Sequence, residues 1–82
     1  MSERFVYGLR STSNHNRFYV GVTGDVPARI DWHNAGRCYH TAKHRPWEMV
    51  VAVEFATEER AFAFERYLKS GSGRAFAKRH FE

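Results

Sequence analysis

The stretch that begins at Phe18, FYVGVTGDVPARIDWH, constrains the fold of this chain more than any other. Residues 18–23 are rich in β-branched and aromatic side chains, which is typical of a β-strand, and Gly24 ends the run. Asp25 is a favourable helix N-cap, and Pro27 is tolerated in a first helical turn because no intrahelical donor is lost there. The stretch therefore predicts a strand, a tight turn and a helix over about residues 26–35.

Two chemically active side chains lie on one face of that predicted helix. Arg29 and His33 are four residues apart, so both project from the same side. The preceding strand contributes Tyr19 close by. A fixed positive charge, a titratable imidazole and a phenol in one place suit the binding and hydrolysis of a phosphodiester.

The remaining elements follow from hydrophobic patterning and helix signals. Thr57 is an N-cap, with acidic residues favourably placed in the first turn after it. A nearly continuous apolar run predicts a third strand that is covered on both faces. The predicted elements are a strand over 5–9 in an antiparallel hairpin with 18–23, a basic loop over 37–45, a strand over 47–55, a helix from Thr57 to about Lys69 and a short basic helix over 74–80.

This order, ββαβα plus a terminal helix, predicts an α+β fold with a small three-stranded antiparallel or mixed sheet packed on helices. With 82 residues, we expect one domain spanning 1–82. A single cysteine indicates a reducing compartment, and no apolar run approaches ~18 residues, so we expect a cytoplasmic protein without a membrane partner. The net charge of +4 favours a polyanionic partner.

Four sequence features, in this order and spacing, identify a family resemblance. The first is Phe5-Val6-Tyr7, the second is Tyr19-Val20-Gly21, and Arg29 follows ten residues after Tyr19. The fourth is Glu65, in a helical segment near the end of the chain. Together they resemble the GIY-YIG nuclease superfamily, and most closely its small stand-alone, single-domain members.

The resemblance implies a metal-dependent endonuclease, and because no appended recognition domain is seen in the sequence we expect low sequence specificity. The implied chemistry needs a base for the water, a cation for the phosphate and a metal at the leaving oxygen. Arg29 suits the phosphate, and Glu65 suits a single Mg²⁺, with Mn²⁺ as a possible substitute. The residue that acts as the base is left open among Tyr7, Tyr19 and His33. The full catalytic set is Tyr7, Tyr19, Arg29, His33 and Glu65.

Each of these assignments has a plainer alternative. Arg29 and His33 are equally typical of a solvated helix face, and two tyrosines commonly pack across a hairpin. Glu65 is four residues before Lys69, a spacing that produces an ordinary helical ion pair. Gly21 is interpreted as a point of close approach for backbone or substrate.

Two departures from the family pattern bear on catalysis. The first motif is Phe-Val-Tyr rather than Gly-Ile-Tyr, although its tyrosine is kept. Val22 stands where some branches of the family have a lysine. If that lysine assists proton transfer in those branches, then Tyr19, Tyr7 or His33 must do so here.

The basic residues outside the motifs predict contacts with a nucleic-acid backbone, and with the family resemblance we expect DNA rather than RNA. Phosphate contacts carry no sequence information, so we expect DNA structure or strandedness to govern the choice of substrate. A zinc site at Cys38, His40 and His44 is rejected because no paired cysteines accompany it. The alternatives are a non-catalytic nucleic-acid-binding module and a module for an acidic protein. The predicted nucleic-acid-binding residues are Lys43, Arg45, Lys69 and Arg74.

Overall fold

The structure, a computed structural model, describes residues 2–82 and has an α+β fold with three antiparallel strands in one sheet. The prediction of this fold class is confirmed. The elements in chain order are β1 (Phe5–Ser11), β2 (Phe18–Thr23), α1 (Val26–Asn34), α2 (Tyr39–Ala42), β3 (Trp47–Glu54), α3 (Glu58–Leu68) and α4 (Gly71–His80).

Strand β1 is the centre of the sheet, whose order is β2-β1-β3. It pairs antiparallel with both neighbours, so the predicted hairpin of the first two strands is confirmed. In the β1–β2 register, Tyr7 lies opposite Gly21 and Leu9 lies opposite Tyr19. This register places the tyrosines of both sequence motifs on one face of the sheet.

The two faces of the sheet support two separate apolar clusters. Tyr7, Leu9 and Trp47 form the smaller cluster, against which Tyr19 and Ile30 of α1 pack. The larger cluster lies on the opposite face, against α3 and α4. It comprises Val6, Val20, Ala61, Leu68 and Ala77, with phenylalanines packed around them. The sheet is therefore sandwiched between α1 on one side and the α3–α4 pair on the other.

The helix N-caps form as the sequence predicts. The side chain of Asp25 accepts a hydrogen bond from the Ala28 amide at 3.1 Å. Thr57 accepts one from the Arg60 amide at 3.2 Å. Each cap satisfies one of the backbone donors that a helix start leaves without a partner.

The prediction that the third strand is covered on both faces is wrong. Strand β3 is an edge strand, and along it Glu48, Met49, Ala52 and Glu54 are exposed. The strand covered on both faces is β1, in which the consecutive residues 6–9 are all buried although their side chains point to alternate faces. A continuous apolar run does not distinguish these positions, since each strand of a small sheet contributes some apolar residues to the core.

Two helix boundaries also differ from the predictions. The basic segment predicted as a loop over 37–45 contains the short helix α2. The terminal helix begins at Gly71 rather than Arg74, because Ser70 serves as its N-cap and bonds the amide of Gly73. A Cβ at Gly73 would overlap the backbone of Tyr67, so this glycine permits the close contact of α3 and α4.

Within residues 2–82, no helix has both the length and the apolar character needed to cross a lipid bilayer. The cytoplasmic location stays a prediction.

Candidate active site

A hydrogen bond between Tyr7 and His33 lies at the centre of the candidate site. The Tyr7 hydroxyl is 2.8 Å from Nε2 of His33, and both side chains are almost completely buried. Strand β1 supplies the phenol and the last turn of α1 supplies the imidazole. His33 has no exposed surface, so a proton passes between this ring and a water molecule only through another group.

The second ring nitrogen of His33 is held by a residue of α2. Nδ1 lies 2.8 Å from the Thr41 hydroxyl, which in turn donates to the Cys38 carbonyl at 3.5 Å. Thr41 therefore accepts from Nδ1–H, which leaves Nε2 as the acceptor for the Tyr7 hydroxyl. The indole N–H of Trp47 donates to the Thr41 carbonyl at 2.8 Å and ties α2 to the sheet.

Gly21 makes room for the Tyr7 ring. It lies directly opposite Tyr7 in the hairpin, and a Cβ built at this position would overlap the hydroxyl and ring of Tyr7. The close approach expected at Gly21 is therefore made by a catalytic candidate of the neighbouring strand. The absence of a side chain lets the phenol cross β2 toward His33 on α1.

Tyr19 lies between the buried pair and the surface. Its ring is edge-on to the His33 ring, with centroids 4.9 Å apart, and its centroid is 6.3 Å from that of Tyr7. Its own ring is only partly buried. Tyr19 is thus more accessible than Tyr7 and His33, the other two members of this aromatic cluster.

All three aromatic groups are held in their neutral forms at neutral pH. Burial raises the pKa of Tyr7 well above its ordinary value, and Tyr19 nearby adds to this, whereas the charge of Arg29 opposes it. Burial likewise raises the pKa of Tyr19. Burial lowers the pKa of His33, and the charge of Arg29 lowers it further.

Arg29 is the fixed cation of the site. Its guanidinium lies 5.0 Å from the centroid of the Trp32 ring, a cation–π contact within α1. Its charge acts on the pKa values of Tyr7, Tyr19 and His33. The helical spacing predicted that Arg29 and His33 share a face, and the structure places both beside the motif tyrosines.

Glu65 approaches the site from α3. Its carboxylate is paired with Nζ of Lys69 at 2.6 Å, and the side chain of Glu65 is 19% exposed. The same ammonium lies 5.9 Å from the centroid of the Tyr19 ring. The carboxylate also acts on the pKa of Tyr19. Tyr19 therefore has the Tyr7–His33 pair on one side and the Glu65–Lys69 pair on another.

The predicted phosphate contacts divide between two surfaces. Lys69 and Arg74 line one cleft of about 370 Å³ between β2 and α4, together with Tyr19 and with Lys78, one turn beyond Arg74. We name this the α4 cleft. It brings three cations to the edge of the candidate site.

The other two predicted contacts belong to the α2 side. Lys43 lines a second cleft that includes Tyr19. Arg45 is turned back on its own segment, where its Nε donates to the Ala42 carbonyl at 2.7 Å and its guanidinium lies against Gly36. Cys38, which the zinc alternative invoked, is buried, whereas His40, in α2, is exposed.

Sequence patterns did not identify Thr41 as part of the site. It follows His33 by eight residues and lies in a segment predicted as a loop. Its partnership with Nδ1 depends on the α2 helix and on the Trp47 anchor. No spacing rule relates a histidine to the hydroxyl that fixes its tautomer.

A match to a known protein family identifies the class of protein to which this fold and this site belong. Residues 3–79 match the model described as the GIY-YIG catalytic domain. The chain therefore belongs to the GIY-YIG family, and the predicted resemblance is confirmed. The single-domain boundary, 1–82, stays a prediction.

Curated relatives that match the chain include proteins named structure-specific endonuclease subunit SLX1. The match is 42% identical over 66 residues in Podospora anserina, covering 73% of this chain and 19% of the relative. In Cryptococcus neoformans it is 45% identical over 65 residues, covering 72% of this chain and 13% of the relative. In Aspergillus terreus it is 46% identical over 65 residues, covering 72% and 17%. This chain spans less than a fifth of the length of these relatives, and no solved structure matches it significantly.

Proposed function

We propose that this chain is a metal-dependent endonuclease that hydrolyses phosphodiester bonds in nucleic acid, in DNA rather than RNA. The family match over residues 3–79 and the endonuclease names of the relatives support the reaction class. The observation that carries the proposal is the placement of Tyr19 between two pairs, Tyr7–His33 and Glu65–Lys69. An acid–base pair and a carboxylate on two sides of one accessible phenol suit hydrolysis of a phosphodiester.

The proton path that we propose runs through Tyr7 to His33. The Tyr7 hydroxyl takes a proton from the attacking water while it gives its own proton to Nε2 of His33, 2.8 Å away. Because Tyr7 is only 1% exposed, the water reaches it past the partly exposed Tyr19. A phenol of raised pKa is a poor base by itself at neutral pH, so it needs such an acceptor. Thr41 holds Nδ1 and so keeps Nε2 free to accept. The imidazole of His33 carries a positive charge only while the water attacks the phosphate.

Arg29 stabilises the phosphate in this proposal. Its planar guanidinium offers parallel N–H donors to two phosphate oxygens. Stabilisation of developing charge by fixed donors in a partly buried site is commonly the largest contribution to such reactions. The charge of Arg29 also opposes the rise in the pKa of Tyr7 and thereby makes its proton easier to give to His33.

Glu65 is the proposed protein ligand for Mg²⁺, with Mn²⁺ as a substitute. Between residues 2 and 82, no three His, Cys, Asp or Glu side chains gather closely enough to share a metal ion. A single carboxylate fits Mg²⁺, which commonly binds one or two carboxylates together with waters and substrate phosphates. When bound, the cation supplies Lewis-acid stabilisation of the phosphate and the leaving oxygen. Lys69 must then leave the Glu65 carboxylate, which it holds at 2.6 Å.

We further propose that DNA structure rather than base sequence selects the substrate. The cations of the α4 cleft, Lys69, Arg74 and Lys78, suit phosphate groups. Contacts of this kind position a nucleic acid without reading its bases. The printed names of the relatives, structure-specific endonuclease subunits, are in accord with this proposal.

The second candidate is a non-catalytic nucleic-acid-binding module of the same fold. The observation that favours it is the ion pair itself, because an ammonium 2.6 Å from Glu65 competes with a metal ion for the carboxylate. This module would bind DNA in a salt-dependent manner without cutting it.

A cleavage assay with labelled single-stranded, duplex and flap DNA separates the two candidates. The nuclease cuts at least one substrate in Mg²⁺, stops in EDTA, and is disabled by Arg29→Ala. Salt-sensitive binding with no cleavage in Mg²⁺ or Mn²⁺ would replace the nuclease proposal with the binding module.

A further inference from the structure

The second cleft beside Tyr19 lies between β2 and α2 and has a volume of about 360 Å³. We name it the α2 cleft; Phe18, Tyr19, Tyr39, Lys43 and Trp47 are among the residues that line it. It shares Phe18 and Tyr19 with the α4 cleft, so the two clefts meet at the candidate active site. The volume lies in the range of pockets that hold small organic groups, ~300–1,000 Å³.

Tyr39 is the most conspicuous side chain of the α2 cleft. It is 85% exposed, far more than the other large apolar or aromatic side chains at the surface. Its ring belongs to neither apolar cluster, and its aromatic neighbour is His40, at 5.7 Å between centroids. The core therefore gives no reason for an aromatic residue here, whereas a flat exposed ring provides a stacking surface.

Two residues that line the α2 cleft together with Tyr39, namely Thr41 and Trp47, are held in place by hydrogen bonds. Trp47 is 5% exposed, and its indole N–H bonds the Thr41 carbonyl of α2 at 2.8 Å. Thr41 in turn is fixed by His33. Tyr39 thus lies on a short helix that Thr41 anchors both to Trp47 of the sheet and to His33 of the candidate active site.

The charge of the α2 cleft selects a polyanion. Arg17 and Lys43 line it together with two histidines, and no Asp or Glu of the described chain does so. An exposed aromatic ring among cations is the arrangement by which proteins bind single-stranded nucleic acid, with the base on the ring and the phosphates near the cations.

We propose that the α2 cleft binds an unpaired nucleobase of the substrate, stacked on Tyr39. This inference rests on the proposed nuclease function and deepens it. The cations of the α4 cleft hold the phosphates of one arm of the DNA, and the α2 cleft receives a base of a strand that has left the duplex. Tyr19 lies where the two clefts meet, so the bond to be cut lies near a junction between paired and unpaired DNA.

The test is a binding measurement in EDTA, which does not depend on cleavage. Fluorescence anisotropy compares a labelled duplex bearing a single-stranded flap with a fully paired duplex of the same length. Base stacking predicts that Tyr39→Ala weakens binding of the flap DNA roughly 5- to 150-fold, while binding of the paired duplex changes by about twofold or less. Tyr39→Phe keeps a ring and retains the affinity for the flap.

Phe62→Ala is the matched control, since it removes a partly exposed aromatic ring of α3 that lines neither cleft. It leaves both affinities unchanged, and thermal melting confirms that each variant is folded. An unchanged affinity of Tyr39→Ala for the flap, or an equal loss on both DNAs, overturns the inference. Failure of the nuclease proposal gives a different result, namely intact discrimination by Tyr39 with no cleavage in Mg²⁺.

Discussion

The Tyr7 hydroxyl and Nε2 of His33 form a buried hydrogen bond of 2.8 Å that joins the central strand to the first helix. The two residues are 26 positions apart in the sequence, so it is the fold that brings them together. Gly21 leaves room for the phenol, and Thr41 fixes the imidazole from behind. Four residues of four different elements therefore define one donor–acceptor pair.

Tyr7→Phe tests the pair directly. The variant keeps the ring but removes the hydroxyl, which leaves a buried ring nitrogen of His33 without its donor. We expect a loss of about 1–3 kcal/mol in the free energy of unfolding. The proposed proton path predicts a fall of roughly 10²–10⁴ in cleavage rate as well. Urea unfolding and single-turnover cleavage measure the two effects.

Tyr19→Phe is the companion variant for Tyr7→Phe. It removes the other motif hydroxyl from a partly buried ring, and no protein hydrogen bond of that hydroxyl lies within residues 2–82. Stability is expected to change by less than ~0.5 kcal/mol. A larger rate loss for Tyr19→Phe than for Tyr7→Phe would assign the proton transfer to Tyr19 instead.

Thr41→Val tests whether the tautomer of His33 is held from α2. Valine has nearly the same shape but no hydroxyl, so Nδ1–H of His33 loses its acceptor in a buried place. We expect a stability loss of about 1–3 kcal/mol, together with slower cleavage. Thr41→Ser retains the hydroxyl and is expected to recover most of the rate. Equal rate losses in the valine and serine variants would show that Thr41 acts only through packing.

Gly21→Ala tests the space beneath Tyr7. The added methyl group overlaps the phenol, so the hairpin or the ring must move, at a cost of about 1–3 kcal/mol in stability. Gly71→Ala is the control, because a Cβ at Gly71 meets nothing within 4 Å. The control is expected to leave the melting temperature unchanged or to raise it. Equal melting temperatures for both variants would mean that Tyr7 does not need this gap.

The buried imidazole predicts how stability depends on pH. The pKa of His33 is lowered in the folded state, so the unfolded chain binds the proton more readily. The stability contributed by the neutral ring is complete above the unfolded pKa of about 6.5 and is lost as the pH falls below it. Melting temperatures from pH 8 to pH 5 measure this loss. His33→Gln, which does not titrate, should have a flatter profile, and an equally steep profile would assign the effect to other groups.

The sequence predicted the elements of the site more accurately than their surroundings. The spacing of Arg29 and His33, the N-cap at Asp25 and the hairpin of the first two strands are local properties, and each is recovered in the structure. The exposure of β3 was missed because edge and centre are properties of the whole sheet. The bond from Thr41 to His33 was missed for the same reason, since it requires α2 to be docked first.

The Glu65–Lys69 ion pair also shows what a spacing rule can and cannot predict. The i+4 spacing of Glu65 and Lys69 predicted the contact as the plainer alternative to metal binding, and the contact is present at 2.6 Å. The same spacing does not predict the neighbourhood of Tyr19. The centroid of its ring lies 5.9 Å from the Lys69 ammonium because β2 passes beside α3. A pairing rule for one helix does not contain its tertiary neighbours.

The most direct test of the proposed nuclease is cleavage of labelled flap DNA by two carboxylate variants of α3. Glu65→Gln removes the proposed metal ligand, whereas Glu59→Gln makes the same chemical change at an exposed position of the first turn. We predict Mg²⁺-dependent cleavage by the wild type and by Glu59→Gln, and none by Glu65→Gln. Cleavage that persists in Glu65→Gln, or in EDTA, would contradict a metal-dependent reaction at Glu65.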